Sequence, residues 1–370
     1  MSTPEDILRT RFGYTAFRSI QKECIGQLIS GKDVFAVLPT GSGKSLIYQI
    51  AGLMLGGTTL VLSPLIALMQ DQVRELQERQ IPCGLMNSLQ TPRERQANLS
   101  LFTSGKLSFF FVTPERLQKN DFVNALKKIH IPLVAADEAH CISLWGHDFR
   151  PEYRKICASL KSLSPRPVYL ALTATAPPRV QKEIITVLNL QTERALIGGI
   201  ERPNLILDVK DVFSDDEKFA YSAQVINALK GPGIIYFSLI KTLEAVHQQF
   251  AEKGRTFIRY HGECSASVRE KSQIDFIQGK DAVILATNAF GLGINKKDIR
   301  FIIHWEIPGS LEAYYQEIGR AGRDGKLSYC ALLYNKDDII TRRMFNQNAN
   351  PPPGFIHRSA AGCEGPKKLP

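Results

Sequence analysis

Leu38-Pro39-Thr40-Gly41-Ser42-Gly43-Lys44-Ser45 decides how the rest of this chain is read. The stretch closes on Gly-Lys-Ser, the working end of a phosphate-binding loop. Small residues let successive backbone N–H groups converge on a phosphate, and a lysine and a hydroxyl then follow. Thr40, Gly41, Ser42, Gly43, Lys44 and Ser45 are therefore the candidate cradle. Lys44 is directed at the β- and γ-phosphates and Ser45 at Mg²⁺. The strict template of Gly, four residues and Gly-Lys-Ser/Thr lacks its leading glycine, with Leu38-Pro39-Thr40 standing in that place. Just upstream, Val34-Phe35-Ala36-Val37-Leu38 is a short apolar run that reads as a buried strand. Leu46 to Leu55 reads as helix, so the loop sits at a helix N-terminus, where anions are favoured.

A second apolar run, Ile131-Pro132-Leu133-Val134-Ala135-Ala136, ends in Asp137-Glu138-Ala139-His140. A carboxylate at the C-terminal edge of a buried strand is where such folds hold Mg²⁺, which makes Asp137 the candidate ligand. Glu138 is the candidate base that polarises the attacking water. Further on lies Gln316-Glu317-Ile318-Gly319-Arg320-Ala321-Gly322-Arg323-Asp324-Gly325. If Tyr314 to Arg323 is helical, Gln316, Arg320 and Arg323 share one face. Two guanidiniums there suit a triphosphate, whose transition-state charge an arginine stabilises.

With these three sites in place, the chain resembles the RecQ family of superfamily 2 helicases, from about Phe12 to Tyr334. Phe12-Gly13-Tyr14-Thr15-Ala16-Phe17-Arg18-Ser19-Ile20-Gln21 is similar to that family's adenine-recognition motif. Leu62 to Val73, Ala171 to Ala176 and Ala286 to Lys296 resemble its motifs Ia, III and V, and 316–325 resembles motif VI. Cys141-Ile142-Ser143-Leu144-Trp145-Gly146-His147-Asp148-Phe149-Arg150-Pro151 resembles its aromatic-rich loop, with Leu144 where the family usually has Gln. The resemblance implies two tandem RecA-like domains with an ATP cleft between them, ATP and Mg²⁺ as cofactors, and single-stranded and duplex DNA as partners.

The same residues have a reading of their own. Tyr14 offers a ring face to adenine, Arg18 a planar cation for the other face, and Gln21 an amide for the base edge. Their spacing predicts one helical face. Trp145, His147, Phe149 and Arg150 follow directly on Glu138 and suit stacking on the bases of a single strand. That position predicts a loop that reports bound DNA to the hydrolytic site.

Apolar runs alternate with helical stretches such as Ala67–Arg79 and Pro178–Leu188, the pattern of an α/β protein with parallel sheets. Strands are expected at Val34–Leu38, Thr59–Ser63, Leu107–Val112, Leu133–Ala136 and Val168–Leu172. A second set is expected at Gly233–Phe237, Thr256–Tyr260, Ala282–Ala286, Phe301–Trp305 and Ser328–Tyr334. Residues 1–200 and 201–340 are the expected domains, joined through Gly198-Gly199-Ile200-Glu201-Arg202-Pro203-Asn204. The tail 341–370, with its Pro351-Pro352-Pro353-Gly354, is expected to be flexible.

A net charge of +10 suits a polyanionic partner. Seven cysteines without a Cys-x-x-Cys pair predict free thiols in a reducing compartment. There is no signal-peptide pattern and no apolar run long enough to span a bilayer, so neither export nor a membrane is expected. Cytoplasm or nucleoid would be the location in a bacterium, the nucleus in a eukaryote. Only Cys363 lies beyond Cys330, so four thiolate ligands for zinc cannot be assembled there. The expectation is a helicase core without a zinc-binding or winged-helix module. The activity implied by the resemblance is ATP-dependent 3′→5′ DNA unwinding in repair or recombination. A nucleotide-gated remodeller that grips strands without separating them, and an RNA helicase, remain the alternatives.

Overall fold

The computed structural model describes residues 2–18, 20–143, 153, 159–160, 163–199, 201–288, 290 and 296–340. Among these, the chain forms two compact units. The first comprises Met1–Asn204 together with Phe290–Lys297 and Tyr315–Lys326, and the second the remainder.

The first unit is built on β1 (Val34–Val37), β2 (Thr59–Leu62), β3 (Cys83–Met86), β4 (Phe109–Val112), β5 (Leu133–Ala136), β6 (Val168–Thr173) and β7 (Leu196–Ile197). They form a seven-stranded sheet in the order β3-β4-β2-β5-β6-β1-β7, with every pairing parallel. Strands covered on both faces read as continuous apolar runs, and side chains alternate across the sheet. Phe35, Leu60, Phe110, Val134 and Ala171 enter one core. Their neighbours Val34, Val61, Phe111, Ala135 and Leu170 enter the other.

The second unit holds β8 (Leu205–Asp211), β9 (Gly233–Phe237), β10 (Ile258–Tyr260), β11 (Val283–Thr287), β12 (Phe301–His304) and β13 (Ser328–Tyr334). These form a six-stranded sheet in the order β10-β11-β9-β12-β13-β8, again parallel throughout. Phe219, Phe237, Phe250, Phe301 and Trp305 anchor its core. No helix among the described residues is long and apolar enough to cross a membrane.

Several expectations need correction. Strands β3, β7 and β8 were not foreseen. Cys83-Gly84-Leu85-Met86 carries a glycine and little β-branching, β7 has two residues, and β8 mixes apolar residues with Asp208, Lys210 and Asp211 as an edge strand. The helix expected to align Tyr14, Arg18 and Gln21 does not exist. The first helix, Pro4–Phe12, stops at Gly13, whose φ of +74° only glycine adopts readily. The next begins at Gln21. The helix expected through Arg323 also ends early, at Ile318. Glycines at 319 and 322 follow, the latter at φ +56°. Helical spacing therefore places neither Arg18 nor the two arginines.

Candidate active site

The register of three strands assembles the centre of the site. Val37 of β1 pairs with Thr173 of β6, and Ala136 of β5 with Ala171 of β6. The loops that leave these strands therefore emerge side by side at their carboxyl ends, where open α/β sheets bind ligands.

The loop after β1 carries Gly41 and Gly43, both at φ +80°. Lys44 is the first residue of the helix Lys44–Leu55. Its Nζ folds back to donate to the Leu38 carbonyl at 3.3 Å. A Cβ on Gly43 would lie 2.7 Å from Gln21 Nε2, and one on Gly41 would lie 3.1 Å from Arg323 Cγ. The φ values are what favour glycine at both positions, and a side chain there would also displace Gln21 or Arg323. Ser42 Oγ is buried without a protein partner among the described residues, as a hydroxyl serving a bound anion would be.

Asp137 follows β5 and is 7% exposed. Its Oδ1 accepts from the Glu138 amide at 3.0 Å, and the Tyr153 hydroxyl donates to its main-chain carbonyl at 3.1 Å. Burial, and then the adjacent Glu138, hold the Asp137 carboxyl well above the ordinary range, with Lys44 pulling the other way. Two neighbouring carboxylates in a buried setting, one of them raised, are the donor set a divalent cation would relieve. Glu138 takes the left-handed conformation, φ +49°. Its Oε2 lies 3.4 Å from His140 Nδ1, and that nitrogen lies 2.9 Å from Thr173 Oγ1. The Asp137–His140 turn is thereby tied to the loop after β6.

Tyr14, Arg18, Gln21, Thr40, Gly41, Gly43, Lys44, Ser45, Asp137, Glu138, Gln316, Arg320 and Arg323 all line one cavity of about 370 Å³ within the first unit. Arg320 is 8% exposed. The Gln21 amide is not free in this state. Its Nε2 donates to the carbonyls of Ser42 and Gly43, each at 2.9 Å, and its Oε1 accepts from the Arg18 amide at 2.8 Å. Pairing with a base edge would require it to exchange those bonds.

Four further residues belong to the site and were not foreseen. Arg79 lines the cavity, donates to the Arg11 carbonyl at 3.1 Å and sits 5.4 Å from the Phe12 ring centroid. Lys297 lines it too. Arg202 and Asn204 grip the arginine turn, as set out below. None carries a motif spacing, since each acts through partners distant in sequence. Trp145, His147, Phe149 and Arg150, with Leu144, lie outside the described residues.

This fold and the loops at its strand ends are those of the nucleotide-binding α/β class. Residues 18–184 match the DEAD/DEAH box helicase family and residues 217–325 the helicase conserved C-terminal domain. The chain is similar to the helicase Lhr of Mycobacterium smegmatis, whose structure was determined with ssDNA and AMP-PNP. The TM-score is 0.73 at 21% identity, over 92% of this chain and 48% of that one, which speaks for the fold alone. It is 42% identical to the ATP-dependent DNA helicase RecQ of Bacillus subtilis (strain 168) over 345 residues, 92% of this chain and 57% of the relative. It is also 42% identical to the probable ATP-dependent DNA helicase RecS of the same organism over 343 residues, 92% of this chain and 68% of the relative. The chain belongs to the RecQ family of superfamily 2 helicases, and its sheets are two RecA-like α/β domains. It spans a little over half the length of the RecQ relatives it matches.

Proposed function

We propose that the chain binds ATP in this cavity and couples its hydrolysis to 3′→5′ movement along single-stranded DNA and to duplex unwinding. The observation that carries the reading is the shared lining. Lys44, Asp137 and Glu138 face the same 370 Å³ space as Arg320 and Arg323. Lys44 and the loop amides hold the phosphates, while Ser45 and Asp137 hold Mg²⁺. When bound there, Mg²⁺ would supply positive charge against the charge that develops on the phosphates. Glu138 orients and deprotonates the attacking water, with His140 fixing its carboxylate. Arg320 and Arg323 take the charge that spreads over the transferred group, and Gln316 contributes to the same wall. Tyr14 and Arg18 stack on the base. The aromatic loop with Trp145, His147, Phe149 and Arg150 follows the Ala139–Ile142 turn directly in sequence, which supports a role in passing DNA occupancy to Glu138.

Strand separation on 3′-tailed, 5′-tailed and blunt duplexes, in DNA and in RNA, tests the reading. The expected result is ATP-dependent opening of 3′-tailed DNA, with hydrolysis stimulated by single strands and weakened by salt. Preference for a 5′ tail overturns the direction. Stimulated hydrolysis without separation selects the strand-gripping alternative, and equal action on RNA selects the RNA helicase.

A further inference from the structure

Arg202 lies in the segment that leads out of the first unit, where neither a motif nor a helix explains an arginine. Its guanidinium makes a four-way contact with main chain. Nη1 donates to the carbonyls of Thr40 at 2.9 Å and Gly319 at 3.2 Å. Nη2 donates to the carbonyls of Ala321 at 2.7 Å and Gly322 at 3.2 Å. Asn204 adds to the same turn, its Nδ2 donating to the Gly322 carbonyl at 2.8 Å and the Lys326 carbonyl at 2.9 Å.

The acceptors are informative. The Gly319 carbonyl belongs to the peptide that leads into Arg320, and the Gly322 carbonyl to the peptide that leads into Arg323. This turn lies past the helix end at Ile318. Its own main-chain bonds, from Arg320 N to the Glu317 carbonyl at 3.1 Å and from Ala321 N to the Ile318 carbonyl at 3.0 Å, shape it locally, and the Arg202 donors tie that shaped turn to the phosphate loop. The remaining acceptor, Thr40, belongs to the phosphate loop itself. The two segments are in close contact: a Cβ on Gly319 would sit 2.8 Å from Thr40 Cβ.

We propose that Arg202 is a positioning residue that sets Arg320 and Arg323 at a fixed distance from the phosphate loop. A guanidinium is suited to this, because its planar fork presents four terminal N–H groups to four fixed carbonyls. An ammonium offers three donors from one atom and cannot span them. Holding charge-stabilising groups within a fraction of an ångström is worth rate rather than affinity, and a misplacement of about 1 Å can cost roughly 10²-fold. The proposal rests on the hydrolytic reading of this cavity.

The test uses the full chain with Arg202→Ala, Arg202→Lys, Arg323→Ala and the double variant Arg202→Ala/Arg323→Ala. Steady-state ATP turnover with saturating single-stranded DNA is measured beside affinity for a non-hydrolysable ATP analogue. Both Arg202 variants are expected to lose roughly 10- to 100-fold in kcat while analogue affinity stays within a few-fold. Because Arg202 acts through Arg320 and Arg323, removing Arg323 leaves only the Arg320 part of its effect, and the double variant is expected to lose less than the product of the two single losses. A residue that only supported the fold would add its own loss. Native kcat in Arg202→Lys, or losses that multiply in the double variant, overturn the proposal. Where Arg202→Ala does not fold, Arg202→Lys carries the decision. If Arg323→Ala turns over like the unaltered chain, the hydrolytic reading fails as well. If Arg323→Ala fails and the Arg202 variants do not, only the positioning role falls.

Discussion

Two strand-to-helix connections in this molecule share a plan and differ in chemistry. In the first unit β1 runs through the loop ending in Gly43 into the helix Lys44–Leu55. In the second, β9 runs through Ser238-Leu239 into the helix Ile240–Glu252. Both strands are interior to their sheets, and both helices open with their amides facing the strand's carboxyl end. Only the first connection carries two left-handed glycines, Gly41 and Gly43, a backbone conformation that allows successive amides to converge on an anion. In the second, the Ser238 amide is already bonded at 2.9 Å to the carboxylate of Glu306, which is 8% exposed. An internal carboxylate stands against the helix start where the first unit leaves room for a phosphate. A helix N-terminus is therefore not a phosphate site by position alone. The loop's length and the φ angles of Gly41 and Gly43 are what support the proposed phosphate site.

The comparison can be broken most forcefully at the lysines. Lys44→Ala is expected to abolish ATP turnover, whereas Lys241→Ala, at the exposed start of the second helix, is expected to leave nucleotide affinity unchanged. Glu138→Gln is expected to retain ATP and lose hydrolysis, since Asp137 and the loop are intact. Steady-state ATPase and equilibrium binding check all three, and near-normal turnover in Lys44→Ala and Glu138→Gln would remove the site from this cavity. Next in size is Arg323→Ala. An arginine at the transferred phosphate can contribute about 10³–10⁵ in rate, so turnover should collapse while affinity moves only a few-fold. A larger loss in Arg320→Ala would exchange the two roles.

The smallest effect concerns the second connection. Glu306→Ala leaves the Ser238 amide without its acceptor and should cost about 1–3 kcal/mol of stability in that unit. Denaturant unfolding reads the cost, and titration should still count a single nucleotide per chain. Unchanged stability would mean that water serves that amide as well as Glu306 does. A second bound nucleotide would show that the carboxylate is what keeps anions out.

Local pattern made much of this legible. Leu133–Ala136, Gly233–Phe237, Ser328–Tyr334 and the helix Pro178–Leu188 appear where the apolar runs end. Buried parallel strands must be apolar on both faces, and that leaves an unbroken signal. The edge strand β8 left none, because Ile206, Leu207 and Val209 remain exposed and Asp208, Lys210 and Asp211 break the apolar run. Where the expectation used helical spacing as a ruler it failed. Tyr14 and Arg18 follow the left-handed Gly13, and Arg320 and Arg323 follow Gly319, yet all four reach the cavity by turns.

What one reading of the residues already contained was the chemistry: a glycine-flanked Gly-Lys-Ser after an apolar run, a carboxylate pair after another, and two arginines a short step apart. These are properties of neighbours in the chain, decided by φ preference, burial and the charge each side chain carries. The assembly belongs to the folded state. Parallel register puts the ends of β1, β6 and β5 abreast. Gln21 closes on the carbonyls of Ser42 and Gly43, and Arg202 ties Thr40 to a turn more than a hundred residues away in sequence. Main-chain carbonyls are the same at every position, so no residue pattern announces which of them a distant guanidinium will find. Only the fold brings donor and acceptors together.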